Sequence, residues 1–204
     1  MKNINTTVVL IISILLGLGL FAGIVYYVKN NKTVEVVELP IVLEEFSDFQ
    51  CPACGVYYPV VEEVRAEFSA EELDFQYRHF PLTSIHEFAY NSAIASEAAR
   101  EQGKFEEYYD ILFNNQEELT DEDLLRYAQE LELDIDKFSA DLQNPDVKAR
   151  VDKDAAEADD RGYNSTPTFV LNGKRVSLGN DPKSQLISEI QEKINLAKSS
   201  QSTN

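Results

Sequence analysis

Tryptophan is absent from this 204-residue chain, methionine occurs once, and cysteine and histidine occur only twice each. Cys51 and Cys54 lie too close in sequence to act as a structural staple, because closing so short a loop removes little unfolded-state entropy. A zinc site would need two further ligands, and only His79 and His86 are available, at a spacing that fits no standard finger. No metal is therefore expected. Cations are also scarce: 18 Lys and Arg stand against 36 Asp and Glu, for a net charge of −18. That imbalance excludes a basic footprint on nucleic acid or on an anionic membrane surface. No internal repeat is visible, and between Ile85 and Gly162 only Gly103 and Pro145 interrupt the chain. What is present is a core: 44% hydrophobic residues, including ten Tyr and eleven Phe, exclude a disordered acidic chain. The length suits one domain with a short appendage.

The appendage is N-terminal. Residues 1–6 form a short tail, and the 22 residues from Thr7 to Val28 carry no charge. As a helix they would reach about 33 Å, against a hydrocarbon core of about 30 Å. The run is longer than the apolar stretch of a cleavable signal and ends in VYYVKNNK, so an uncleaved transmembrane signal anchor is the expectation. Tyr26, Tyr27, Lys29 and Lys32 suit a membrane-water boundary, although the flanking charges are too balanced to fix orientation. Gly19 and Gly23 form GxxxG, a pattern also common in membrane helices that do not pair. Residues 29–33 read as a linker, and every acidic residue follows them.

The domain expected over 34–197 begins with two extended runs, TVEVVELP and IVLEEF. A helix follows in which Val56, Val60, Val64 and Phe68 mark one face and Pro59 introduces a kink. LDFQYRHF is the next strand. The segment from about 84 to 162 then reads as three to five helices. In it, Phe105, Tyr108, Tyr109, Leu112 and Phe113 share one face, Thr120 and Asp123 form a capping box, and Asn144-Pro145 opens a helix that stops at Gly162. TFVLNGKRVSL gives two strands around the Asn172-Gly173 turn, and Asp181-Pro182 starts a last helix carrying Leu186, Ile190 and Ile194. The order is ββαβ, a helical block, then ββα, with 198–204 as a disordered tail.

Chemistry concentrates in CPAC, at the end of a strand and the start of a helix. Residues three apart in a helical turn bring their Cα atoms within disulfide range, so Cys51 and Cys54 can bond reversibly with little backbone movement. Cys51, at the helix N-terminus, meets unpaired N–H groups and the positive end of the helix dipole, both of which favour a thiolate. It is the expected nucleophile, with Pro52 at the first helical position and Cys54 as the buried resolving thiol. A static local disulfide is the competing reading. A carboxylate buried in the strand before Cys51 would be desolvated, with a raised pKa, as suits a proton acceptor for Cys54. Alternation places Glu44 and Glu45 on opposite faces, so only one of them is expected to be buried. His79 is expected to be structural or at a pocket rim rather than catalytic.

The motifs FSDFQCPAC, RHFPL and GYNSTPTFVLNGK resemble those of DsbA-type thiol:disulfide oxidoreductases, over about Glu35 to Lys193. The resemblance implies an α/β, thioredoxin-like fold with an inserted helical domain, here preceded by one transmembrane helix. It makes Pro167 a cis-proline facing the disulfide and gives Thr166 backbone hydrogen bonds to a substrate strand. Pro52 and Ala53 complete the expected substrate-contacting set. It also places Glu45 as the buried acid and Pro59 as the kinking proline of the active-site helix. Ala53 departs from the pattern, since strongly oxidising members often have His between the cysteines. The implied activity is extracytoplasmic thiol-disulfide exchange at the cell membrane, with Cys51-Cys54 donated to exported, partly folded proteins that carry free thiols. A quinone-linked membrane partner would reoxidise the pair, without an organic cofactor in the chain. A membrane-tethered reductase and a non-enzymatic, chaperone-like binding module are the alternatives.

Overall fold

A computed structural model describes residues 37–201, so the expected anchor over 7–28, its GxxxG pair and the linker lie outside the described residues. Among those described, no helix is long and apolar enough to cross a membrane. The elements are β1 (Ile41–Ser47), α1 (Pro52–Glu67), β2 (Leu73–His79), α2 (Ala89–Arg100), α3 (Phe105–Asn114), α4 (Asp121–Glu130), α5 (Ile135–Asp141), α6 (Pro145–Asp160), β3 (Thr168–Leu171), β4 (Lys174–Val176) and α7 (Pro182–Gln201). The sheet order is β2-β1-β3-β4, with β1 and β2 parallel and the other two pairings antiparallel. Five helices lie between β2 and β3.

Register decides what each face carries. Leu43 pairs with Phe75 on one side and Leu171 on the other, and these residues pack with Val61 and Val64 of α1 and Leu186, Ile190 and Ile194 of α7. The opposite face presents Phe46 and Val170, which pack on Ala158 of α6. The insertion therefore returns across the sheet instead of standing beside it. Its interior is aromatic: Phe105, Tyr108, Tyr109, Leu112 and Phe113 are all buried, in a cluster that also holds Phe49, Cys51 and Cys54.

Local signals formed as the chemistry requires. Thr120 and Asp123 make a reciprocal capping box, and Asn144 Oδ1 accepts from Asp146 N at 2.9 Å ahead of Pro145. Asn172 and Gly173 have φ of 46° and 76°, and Asn172 Oδ1 accepts from Val42 N at 2.8 Å, fixing the hairpin to β1. Gly162, at φ 72°, ends the passage out of α6 in a conformation that glycine adopts without strain.

Four expectations need correction. The described part of TVEVVELP, residues 37–40, is not a strand; Pro40 has no N–H to offer a ladder, and pairing begins where Ile41 N donates to Glu72 O at 2.8 Å. In α1 the buried residues are Cys54, Val61 and Val64, while Val56 is 69% exposed. Glu44 and Glu45 do lie on opposite faces, but both are buried, because helices cover both sides of the sheet. Finally, α7 runs to Gln201, with Lys198 Nζ 2.8 Å from Glu72, so helix replaces the start of the expected disordered tail; residues 202–204 lie outside the described residues.

Thr120→Ala removes the acceptor for Asp123 N and should lower unfolding free energy by about 1 kcal/mol in urea titrations, with an unchanged m-value. An unchanged midpoint would show that the α4 cap contributes nothing.

Candidate active site

Strand β1 delivers the chain to a turn at Asp48–Gln50, where three contacts of the buried Asp48 carboxyl hold it. Asp48 Oδ1 accepts from Gln50 N at 2.8 Å, and Asp48 Oδ2 accepts from Leu82 N at 2.8 Å and meets His86 Nδ1 at 2.7 Å. Gln50 Oε1 in turn accepts from Phe88 N at 2.7 Å. The turn is thus latched to the segment that leads into the insertion. Cys51 is the N-cap of α1, with φ −74° and ψ 119°, and Pro52 occupies the first helical position. No side chain caps this end of the helix, so the sulfur stands where a capping oxygen would.

Both cysteines are free and buried, which makes this the dithiol form. The Cys54 thiol hydrogen-bonds to Cys51 and holds the Cys51 pKa down to about 5, against the opposing effect of burial. The amides of Cys54 and Ala53 add to that stabilisation. Cys54 shifts the other way. Burial raises its pKa, and the bond it gives to Cys51 and the charge of Glu45 raise it further. The pair is therefore split into a ready thiolate and a thiol that keeps its proton.

In front of the sulfur, the Thr166–Pro167 peptide bond is cis and the Cys51 thiol lies 3.6 Å from Thr166 O. Pro52 and Ala53 are exposed beside it, so the expected substrate-contacting residues are brought together at one rim. Behind the sulfurs, Glu45 is 1% exposed and its carboxyl pKa is raised to about 7, chiefly by burial. Ser47 and Arg65 oppose that rise, but no hydrogen bond of ordinary geometry reaches either Glu45 oxygen. The neighbouring hydroxyls of Tyr77 and Tyr109 are likewise buried without partners. On the other face Glu44 has the opposite surroundings: Arg78 and Arg161 each approach it at 3.0 Å and also bind Glu157 of α6. His79 is buried, with Nε2 3.0 Å from Glu97 of α2, in a structural position.

Asp48, Gln50, His86 and Gln116, whose side-chain amide donates to the carbonyls of Phe49 and Cys51, are not legible in the sequence as residues of the site. One signal was available for the last: Gly55 lies one turn into α1, where glycine is unfavourable in a helix and so marks a close approach. Among the described residues, no group of His, Cys, Asp and Glu could hold a metal ion.

A low-pKa thiol and a buried second thiol on one helical turn, facing a cis-proline, define a thiol:disulfide oxidoreductase. The family model for thioredoxin matches residues 38–193, and the chain belongs to that family. A thioredoxin-like oxidoreductase from Silicibacter pomeroyi superposes with a TM-score of 0.65 at 29% identity, covering 78% of this chain and 87% of that one. BdbD from Bacillus subtilis gives a TM-score of 0.67 at 19% identity, over 76% and 88% of the two chains, and DsbA from Xylella fastidiosa gives 0.64 at 18%, over 82% and 90%. These last two share the fold. Among curated proteins, the Na(+)/H(+) antiporter NhaA 3 of Salinispora tropica is 41% identical over 138 residues, which is 68% of this chain but 21% of that protein. The chain thus spans about a fifth of the length of such relatives.

Two titrations check this electrostatic reading. Ultraviolet thiolate absorbance of the reduced protein should report one group near pH 5, lost in Cys51→Ser, and no second thiolate below pH 9. Glu45 is neutral in the unfolded chain only below about 4.5 but stays protonated in the fold up to about 7, so it costs stability as pH rises through that window. Glu45→Gln should therefore stabilise the reduced protein by about 1–3 kcal/mol at pH 8 and by almost nothing at pH 4. An equal effect at both pH values would contradict the assignment.

Proposed function

We propose that this protein is a disulfide oxidase, anchored in the cell membrane by residues 7–28 with its catalytic domain on the extracytoplasmic side. The observation that carries the direction is the stabilised Cys51 thiolate. Anything that favours the thiolate favours the reduced pair, and a couple whose reduced form is stabilised is a strong oxidant. In the forward reaction a substrate thiolate attacks Cys51 Sγ of the Cys51–Cys54 disulfide. Cys54 leaves as a thiolate and takes up a proton, for which Glu45 is the adjacent carrier. A second substrate thiolate then attacks the substrate sulfur of the mixed disulfide and expels the Cys51 thiolate. Two electrons pass from the substrate dithiol to the enzyme.

The substrates proposed are exported, partly folded proteins. Val56 and Ile85, 69% and 71% exposed, lie respectively on the first turns of α1 and on the segment latched to Asp48, and offer an apolar rim to unfolded chain. Thr166, next to the cis bond before Pro167, would pair with the substrate backbone. An exported pair must be reoxidised, and a quinone-linked membrane protein is the partner proposed for that step. One observation favours a second reading, a tethered reductase: Ala53 supplies no charge between the cysteines. The antiport named for the curated relatives is not proposed for this chain.

Cys51→Ser should abolish exchange, and Cys54→Ser should accumulate mixed disulfides through Cys51, seen as reducible high-mass bands that contain exported proteins. A Cys51→Ser protein that retains full function in cells would overturn the enzymatic role. A membrane-impermeant thiol reagent should label Cys51 in reduced intact cells; labelling only after lysis would contradict the topology.

A further inference from the structure

Gln116 lies after α3, in the helical insertion, and has no part in the exchange as described above. Its side-chain amide nitrogen donates to two carbonyls of the active-site turn, Phe49 O at 2.8 Å and Cys51 O at 2.9 Å. The Cys51 carbonyl also accepts from Gly55 N at 3.1 Å, so the first hydrogen bond of α1 and the Gln116 amide converge on one oxygen. Gly55 makes room for this arrangement. A Cβ built there would fall 1.9 Å from Gln116 Oε1 and 2.7 Å from its amide carbon. Alanine would favour the helix, so the glycine carries a cost that the amide's position explains.

We propose that Gln116 is a positioning residue by which the helical insertion tunes the redox couple, holding the peptide groups on either side of the nucleophilic sulfur. The proposal rests on, and deepens, the thiol-exchange reading. Its physical basis is a difference between the two redox states. The amide N–H groups carry partial positive charge and end within hydrogen-bond distance of the Cys51 peptide. Donation to the Cys51 carbonyl also offsets the partial negative charge that this oxygen holds near the sulfur. Both effects favour negative charge on Cys51 Sγ, which the reduced state carries and the disulfide does not. The contact therefore stabilises the dithiol form selectively and makes the protein more oxidising. A clamp that served folding alone would stabilise both redox states equally and leave the potential where it was.

The test uses the full-length protein, equilibrated with reduced and oxidised glutathione and read by alkylation gel shift, alongside the thiolate titration. Gln116→Met keeps length and volume but has no donor. It should shift the equilibrium about three- to tenfold toward the disulfide form and raise the thiolate pKa. Gly55→Ala leaves the glutamine in place but displaces its amide, and should shift both readouts in the same direction while keeping a good helix former in α1. Because both changes break one contact, the double variant should shift no further than the larger single effect. Gln116→Lys, which restores an N–H donor, should remain at or to the oxidising side of the parent. If Gln116→Met does not fold, Gly55→Ala decides alone. Parent-like potential and thiolate pKa in the folded variants would overturn the proposal. A parent protein that never exchanges with glutathione would instead overturn the thiol-exchange reading beneath it.

Discussion

A sulfur placed at the start of a helix meets amide protons that no helical carbonyl can reach, and Cys51 occupies that place with no side-chain cap to compete for them. The rest of the site is arranged around that interaction. Strand β1 and the Asp48 latch fix where the helix begins, the cis Thr166–Pro167 bond closes the space in front of the sulfur, and Cys54 stands one turn behind it with its proton retained. The division of one dithiol into a stabilised anion and a more deeply buried acid is what allows ordered exchange. The first sulfur is a good attacking and leaving group, and the second can close the disulfide once its proton is removed.

Glu44 and Glu45 are adjacent and chemically identical, yet their roles diverge because the sheet has two different neighbours. The face toward α6 brings Arg78 and Arg161 to Glu44, so its buried charge is compensated and the insertion is tied to β1 and β2. The face toward α1 brings Cys54, Tyr77 and Tyr109 near Glu45 and leaves both its oxygens without a partner. An unpaired buried carboxylate costs several kcal/mol, so the group holds its proton until close to neutral pH. One face holds a paired carboxylate and the other an unpaired carboxyl.

Features governed by rules that act within a few residues could be read directly from the chain. The CPAC turn, the Thr120 and Asn144 caps, the Asn172-Gly173 hairpin and the aromatic face of α3 all depend on local spacing, and all stand in the structure. The thioredoxin fold and the cis bond before Pro167 came through resemblance rather than spacing. What was not legible depends on distant chain. Alternation assigns a side chain to a face but cannot say that α6 returns to cover the far one, so burial of both Glu44 and Glu45 was missed. A strict four-residue step advances about 40° beyond a full turn each time, so Val56, Val60, Val64 and Phe68 drift about 120° around α1 and cannot all face the core. Gln116 has no local signature, and its place is marked only by the unexpected glycine it crosses.

The central claim is that Cys51 thiolate stabilisation makes this couple oxidising despite Ala53. The reduction potential of the full-length protein against glutathione tests it most directly. Thioredoxin lies near about −270 mV and DsbA near about −120 mV. A value in the oxidising half of that interval is predicted, whereas a value close to that of thioredoxin would contradict the account and move the chain to the reductase side of the family.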